Sequence, residues 1–94
     1  MTDVKILVIG GGGREHAIIK KLLMSDRVEK IYAAPGNGGI ARDAECVPLK
    51  VNDIDGLVSF AKENGIGFVV IAPEDPLVRG AADAFEKAGI PAFG

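Results

Sequence analysis

Short apolar runs alternate with amphipathic helical patterns along the whole chain. The first run, Val4 to Ile9, is mostly β-branched, which is typical of a buried parallel strand. Residues 14–24 then place their apolar side chains on one face, as expected for a helix packed on a sheet. That face consists of Ile18, Ile19, Leu22 and Leu23. Ser25-Asp26 is predicted to end this helix.

Two strands are expected between the first helix and the second. Val28 to Ala34 is the stronger one. Cys46 to Val51 is weaker, because Pro48 removes a backbone donor and indicates an edge position. The intervening Pro35-Gly36-Asn37-Gly38-Gly39 is incompatible with regular structure. Residues 40–50 have poor periodicity, so part of this region is expected to be loop.

The second helix is predicted from a stripe of apolar residues at helical spacing. Asn52 or Asp53 is its N-cap, and Gly65 suits the left-handed position just past its end. The next strand, Phe68 to Ala72, is apolar throughout and is therefore expected to be central. The stripe consists of Ile54, Leu57, Val58 and Ala61.

A third helix and a final strand complete the pattern. Asp75 is a suitable N-cap and Pro76 a suitable first helical residue, since proline lacks only an N–H that would be unpaired there. Gly89 closes the helix, and Ile90 to Phe93 is the last strand. Small residues would allow close packing on one helix face, which consists of Leu77, Ala81, Ala84 and Ala88.

This order of elements predicts an α/β fold. We expect an open, mostly parallel sheet with helices on both faces, as in Rossmann-like domains. The 94 residues make one small domain, residues 1–94. In such sheets ligands bind beyond the carboxyl ends of the strands, where the strand order switches. Three unusual loops fall on that edge, at residues 10–14, 35–39 and 73–76.

Composition narrows the functional classes. The net charge is −2, with 11 basic and 13 acidic residues well mixed, which disfavours a nucleic-acid surface. The apolar runs are far shorter than the ~20 residues of a membrane span, and no signal peptide is recognisable. The single cysteine, Cys46, suits a reducing compartment and fits a small residue at a strand edge. A cytoplasmic domain without nucleic-acid or membrane partners is expected.

The turn between the first strand and the first helix is the strongest functional signal. Gly10 to Gly13 carry no side chains, and the start of a helix offers backbone N–H groups and a positive dipole end to an anion. One or two glycines would suffice to let the helix pack on the sheet. Four in a row favour a phosphate-bearing small molecule lying against the main chain. A carboxylate introduced by Gly12→Asp should then weaken substrate binding.

The glycine turn does not match the common nucleotide motifs. A dinucleotide fingerprint counted from Gly10 or from Gly11 has Glu15 or His16 at its sixth position, where a small residue is required. The acidic residue expected at the end of the second strand is also missing, because that place reads Ala33-Ala34-Pro35. No Gly-Lys-Ser/Thr follows the glycines, so the Walker motif is excluded.

Several polar residues near these loops have two interpretations each. Arg14 pairs with a phosphate or carboxylate, or is simply solvated. Asn37 contacts a ligand, or only supplies a left-handed turn. Glu74 accepts hydrogen bonds from a sugar hydroxyl or an amine, or is an exposed turn acid. Glu15 is explained by the helix dipole and His16 by packing or hydrogen bonding, so no catalytic residue and no metal site are expected.

Three motifs together resemble a known family. They are Gly10-Gly11-Gly12-Gly13-Arg14-Glu15-His16-Ala17, Ala34-Pro35-Gly36-Asn37-x-Gly39 and Ala72-Pro73-Glu74-Asp75-Pro76-Leu77. In this order and at these distances they resemble the phosphoribosylamine–glycine ligases (glycinamide ribonucleotide synthetases) of purine biosynthesis. The resemblance covers the whole chain and corresponds to the N-terminal domain of those enzymes, which implies a Rossmann-like domain of the kind that precedes an ATP-grasp region.

The resemblance implies a function and a set of site residues. Members are ATP-grasp ligases that activate glycine as an acyl phosphate and join it to 5-phosphoribosylamine, giving glycinamide ribonucleotide. The N-terminal domain helps to bind the phosphoribosyl substrate, with Gly11, Gly12 and Glu74 placed nearest to it. The wider substrate-binding set adds Gly13, Arg14, Asn37 and Pro76.

The resemblance also implies what other domains contribute. ATP and Mg²⁺ (or Mn²⁺) would be bound by ATP-grasp and C-terminal domains, on which this domain would pack. None of those cofactors is expected to be held by residues 1–94, and the isolated chain is expected to be inactive. Apolar area around Leu77 and Val78, normally covered by those domains, would allow isolated domains to pair.

Two alternatives remain open at the level of sequence. The chain could be a stand-alone nucleotide- or dinucleotide-binding module, in which case it would bind NAD tightly and ignore phosphoribosyl compounds. It could also be a purely structural domain whose glycines serve packing only.

Overall fold

The computed structural model describes residues 4–71 and 78–93. Strands and helices alternate in the predicted order, with one added 3₁₀ turn between the second strand and the third. The elements are β1 (Val4–Gly10), α1 (Gly13–Leu22), β2 (Val28–Pro35), the 3₁₀ turn (Ile40–Arg42), β3 (Glu45–Cys46), α2 (Ile54–Glu63), β4 (Phe68–Ile71), α3 (Val78–Lys87) and β5 (Ala92–Phe93).

The strands form one sheet in the order β3-β2-β1-β4-β5. Every neighbouring pair in this sheet is parallel. The order runs outward from β1, with β2 on one side and β4 on the other, so the switch point lies between β1 and β4. The predicted α/β class with an open parallel sheet is therefore confirmed.

Helices cover both faces of the sheet. On one face Ile19 of α1 packs with Val8 and Ala33, all fully buried. On the other face Leu57 of α2 and Phe85 of α3 belong to a larger cluster that includes Leu7, Val69 and Ile71. Residues 6–9 of β1 and 69–71 of β4 are buried on both faces, which explains the apolar runs at these positions.

Glycine ends both α2 and α3 in the same way, as predicted. Gly65 has φ +65° and Gly89 has φ +78°. The following isoleucines close the helices, because Ile66 N–H donates to Ala61 O and Ile90 N–H to Phe85 O, each at 2.9 Å. At the other end of α2 the predicted N-cap is confirmed, since the Asp53 carboxylate accepts from Gly56 N–H at 3.1 Å.

The first helix is shorter than predicted. It ends at Leu22 rather than at residue 24, and Leu23 and Met24 are 49% and 83% exposed. Leu23 was therefore wrongly assigned to the buried face. The reason is local, because Met24 N–H and Ser25 N–H donate to Lys21 O and Leu22 O, three residues back. These bonds turn the chain towards β2.

The two edge strands are also shorter than predicted. β3 is only Glu45–Cys46, rather than Cys46 to Val51. Val47 N–H still donates to Ala33 O, but Leu49 N–H donates back to Val47 O at 2.7 Å, and Pro48 has no donor, so the chain leaves the sheet. β5 begins at Ala92 rather than Ile90, because the Ile90 amide is used in closing α3.

Some predictions fall outside the described residues. These are the N-cap Asp75, the first helical residue Pro76, and the exposed position of Leu77. The described part of α3 begins at Val78 and buries Ala81 and Phe85. None of the helices in the described ranges has the length and apolar character needed to cross a bilayer.

Candidate functional site

Two of the three predicted loops meet at the carboxyl edge of the sheet, beside the switch point. Gly10 ends β1 opposite Pro35, the last residue of β2. Gly36 N–H donates to Gly10 O at 3.1 Å, so the glycine turn and the 35–39 loop are in direct contact. The third loop, residues 73–76, lies outside the described residues. We call the described pair, residues 10–14 and 35–39, the loop edge.

Asn37 links the two loops. Its Nδ2 donates to Gly11 O, and its Oδ1 accepts from Ile40 N–H at 2.8 Å. The interpretation of Asn37 as a left-handed turn residue is wrong, since only glycines among the described residues have a positive φ. Gly36, at φ +72°, takes that conformation instead, and Asn37 holds the glycine turn through its side chain.

Glu15 folds back into the glycine turn. Its side chain is only 6% exposed, and Oε2 accepts from Gly12 N–H at 3.0 Å. A β-carbon added at Gly10 would lie 2.7 Å from Glu15 Oε1, and one at Gly12 would lie 2.9 Å from Oε2. These two glycines therefore make room for a carboxylate of the chain itself, which goes beyond the helix-dipole role expected for Glu15.

The other two glycines differ from each other. A β-carbon at Gly11 would lie 2.6 Å from the backbone oxygen of Gly36, a contact that a backbone group cannot easily relieve. A β-carbon at Gly13 would have no atom of residues 4–71 or 78–93 within 4 Å. Packing within the chain thus explains three of the four glycines. The number of glycines no longer argues for a ligand, and Gly13 is the position where the turn opens outward.

His16 is hydrogen-bonded, as predicted. Its Nε2 lies 2.7 Å from Asp43 Oδ2, and the two side chains are 25% and 28% exposed. A β-carbon on Gly39 would lie 3.4 Å from His16 Cε1, so the imidazole also packs against the 35–39 loop. Asp43 could not be recognised from the sequence as the partner of His16, because it lies 27 residues further along the chain and no spacing rule joins these two residues.

Cys46 supports the same loop from the edge strand. Its Sγ donates to Asn37 O at 3.6 Å, and it would collide with a β-carbon on Gly36. This position agrees with the interpretation of Cys46 as a small residue at a strand edge.

The structure brings together five of the seven predicted substrate-binding residues. Gly11, Gly12, Gly13, Arg14 and Asn37 all belong to the loop edge, with Arg14 exposed in the first turn of α1. Glu74 and Pro76 lie outside the described residues. Within residues 4–71 and 78–93 no three His, Cys, Asp or Glu side chains form a group that could hold a metal ion.

Solved structures define the class to which this fold belongs. The fold is similar to that of the precorrin-6A reductase CobK, with a TM-score of 0.69 and 18% identity, over 98% of this chain and 38% of that one. It is also similar to RSP, a Rex-family repressor, with a TM-score of 0.68 and 19% identity, over 95% of this chain and 43% of that one. The chain is a Rossmann-like α/β domain.

Sequence comparison gives the particular family. The family model described as phosphoribosylglycinamide synthetase, N domain, matches residues 4–94. Relatives named phosphoribosylamine–glycine ligase are 56% identical in Caldanaerobacter subterraneus subsp. tengcongensis, 53% in Listeria innocua and 50% in Allochromatium vinosum, each over 97% of this chain. The chain spans 22% of the length of these relatives. It belongs to the phosphoribosylglycinamide synthetase family, as the resemblance predicted.

Proposed function

We propose that this chain is the N-terminal domain of a phosphoribosylamine–glycine ligase, which joins glycine to 5-phosphoribosylamine in purine biosynthesis. The observation that carries the proposal is the match to relatives of that name, at 50–56% identity over 97% of the chain. The proposal places the protein in the cytoplasm, where its single cysteine stays reduced.

In this proposal the loop edge borders the phosphoribosyl substrate, 5-phosphoribosylamine, or the product, glycinamide ribonucleotide. Arg14 directly follows Gly13 and is exposed, and a guanidinium is suited to a phosphate because it can form two parallel hydrogen bonds to it. Asn37 acts by holding the 35–39 loop and Gly11 in place. The contribution of the domain is to bind and orient one substrate.

The chemistry itself is assigned to the rest of the enzyme. ATP with Mg²⁺ or Mn²⁺ supplies the phosphoryl group that activates glycine. In this proposal the ATP-grasp and C-terminal domains hold ATP and the metal ion. No step is assigned to a side chain of this domain, because its described residues lack a metal-ligand cluster. We expect the isolated chain to form no glycinamide ribonucleotide.

A chimeric enzyme tests the proposal directly. The matched N-terminal residues of the Caldanaerobacter relative are replaced by this chain, and formation of glycinamide ribonucleotide is measured with ATP, glycine and 5-phosphoribosylamine. We expect a chimera with activity near that of the parent. A folded chimera without activity, beside an active parent, would contradict the proposal.

Two arginines provide a matched pair within the chimera. Arg14→Ala should raise the KM for 5-phosphoribosylamine, because it removes a cation from the loop edge. Arg27→Ala removes an exposed cation just before β2, at the other edge of the sheet, and should leave KM unchanged.

Titration of the chain with NADH tests the alternative of a dinucleotide-binding module. Tight NADH binding, together with an unchanged KM for 5-phosphoribosylamine in Arg14→Ala, would favour that alternative.

A further inference from the structure

The side chain of Glu15 lies buried beneath the glycine turn, which is the turn that receives a diphosphate in many Rossmann-like domains. In dinucleotide-binding domains the pyrophosphate lies at the N-terminus of the first helix, and a small residue at the sixth position of the fingerprint lets helix and strand pack closely. Counted from Gly10, that sixth position is Glu15, a buried residue with 6% exposure. The chain thus has an acid where the motif requires a glycine or alanine.

The carboxylate also takes up one of the backbone N–H groups that the turn offers to an anion, that of Gly12. Its Oε2 accepts the Gly12 N–H at 3.0 Å, and its Oε1 would lie 2.7 Å from a β-carbon on Gly10. The negative charge sits at the positive end of the α1 dipole. A diphosphate laid against Gly12 would lose this donor and would lie close to a like charge.

We propose that Glu15 is an intramolecular anion that closes the glycine turn to diphosphates, and so makes this domain reject dinucleotides. The inference goes beyond the proposed function, because it concerns the ligands that the turn excludes. Capping of Gly12 N–H does not require the charge, since a glutamine oxygen accepts the same hydrogen bond. The charge is therefore the part that an experiment can isolate.

The test is a titration with inorganic pyrophosphate, followed through the amide NMR signals of Gly12 and Gly13. The chain with its natural Glu15 should show no saturable shift. Glu15→Gln keeps an acceptor for Gly12 N–H but removes the charge, and we expect it to bind pyrophosphate at least about tenfold more tightly. This affinity should fall as salt is added.

Glu63→Gln is the matched control. It removes one exposed carboxylate at the end of α2, changes the net charge equally, and should leave the titration as in the natural chain. Glu15→Ala is a second variant, expected to bind at least as tightly as Glu15→Gln where its amide spectrum remains dispersed. Saturable binding by the natural chain as tight as that of Glu15→Gln would overturn the proposal. Pyrophosphate binding that is equally weak in the natural chain and in Glu15→Gln would overturn it too. Because no phosphoribosyl compound is used, either failure leaves the proposed function untouched.

Discussion

The two ends of the parallel sheet use glycine for different reasons. At the amino edge, Gly65 and Gly89 end helices in the left-handed conformation, and a β-carbon on either would have no described atom within 4 Å. At the carboxyl edge, Gly11 lies against the backbone of Gly36, while Gly10 and Gly12 make room for Glu15. Local backbone geometry alone requires the first pair. In the second group contacts with other parts of the chain act as well, and Gly10 also has a positive φ of +136°.

Some glycines can therefore be explained from neighbouring residues in the sequence, whereas others depend on contacts that form only in the folded chain. A glycine at a helix end is recognisable from its neighbours, because the helix periodicity stops there and an apolar residue follows. A glycine that admits a distant backbone has no such local mark. The comparison predicts that substitutions at the carboxyl edge destabilise more than those at the helix ends, with Gly13 as the exception.

Gly11→Ala should have the largest effect. Its β-carbon would meet the carbonyl oxygen of Gly36 at 2.6 Å, so the two loops would have to separate. We expect a loss of about 3 kcal/mol in the free energy of unfolding, measured by urea denaturation. A loss no greater than that of Gly65→Ala would show that the loop contact is easily relieved.

Glu15→Ala should come second. It removes the carboxylate that caps Gly12 N–H and leaves unfilled space beneath the turn. We expect a loss of about 2 kcal/mol, with Glu15→Gln closer to the natural chain because it retains an acceptor. If the glutamine variant were as unstable as the alanine variant, the charge rather than the hydrogen bond would stabilise the turn.

Gly65→Ala should have a smaller effect, near 1 kcal/mol. The site has space for the methyl group, and the only penalty is the left-handed backbone at φ +65°. Denaturation midpoints for Gly65→Ala and Gly89→Ala should agree within error, since both positions end a helix in the same motif. A large difference between them would mean that tertiary contacts also act at the amino edge.

Gly13→Ala should change stability least and in the opposite direction. Gly13 begins α1 without a positive φ, so alanine there is expected to stabilise by about 0.5 kcal/mol. In the chimeric enzyme the same substitution should weaken 5-phosphoribosylamine binding, if the open side of the turn contacts that substrate. It is a cleaner probe than Gly12→Asp, which would also disturb Glu15. Unchanged KM would remove Gly13 from the binding set.

Much of the fold was predictable because it depends on short-range patterns. The order of elements, the buried character of β1 and β4, and the caps at Asp53, Gly65 and Gly89 all follow from neighbouring residues. Errors occurred where competing backbone bonds act at element ends. Examples are the turn after Leu22 and the return bond from Leu49 to Val47.

The candidate site was predictable in place but not in detail. Parallel strands bring their carboxyl ends to one edge, so the meeting of the 10–14 and 35–39 loops followed from the order of elements alone. The partners were not predictable. Neither the pairing of His16 with Asp43 nor the link from Asn37 to Gly11 has a mark in the sequence, because both join residues far apart in the chain.

Local chemistry thus specified an α/β domain with a glycine turn at its carboxyl edge, since hydrophobic period, proline and glycine act over a few residues. The three-dimensional arrangement decided what that turn contains. Burial of Glu15 beneath Gly10 and Gly12, and the approach of Gly36 to Gly11, arise only once β1, α1 and β2 are packed together. Contacts between distant segments depend on the packed backbone, and residue identity alone does not encode their distances.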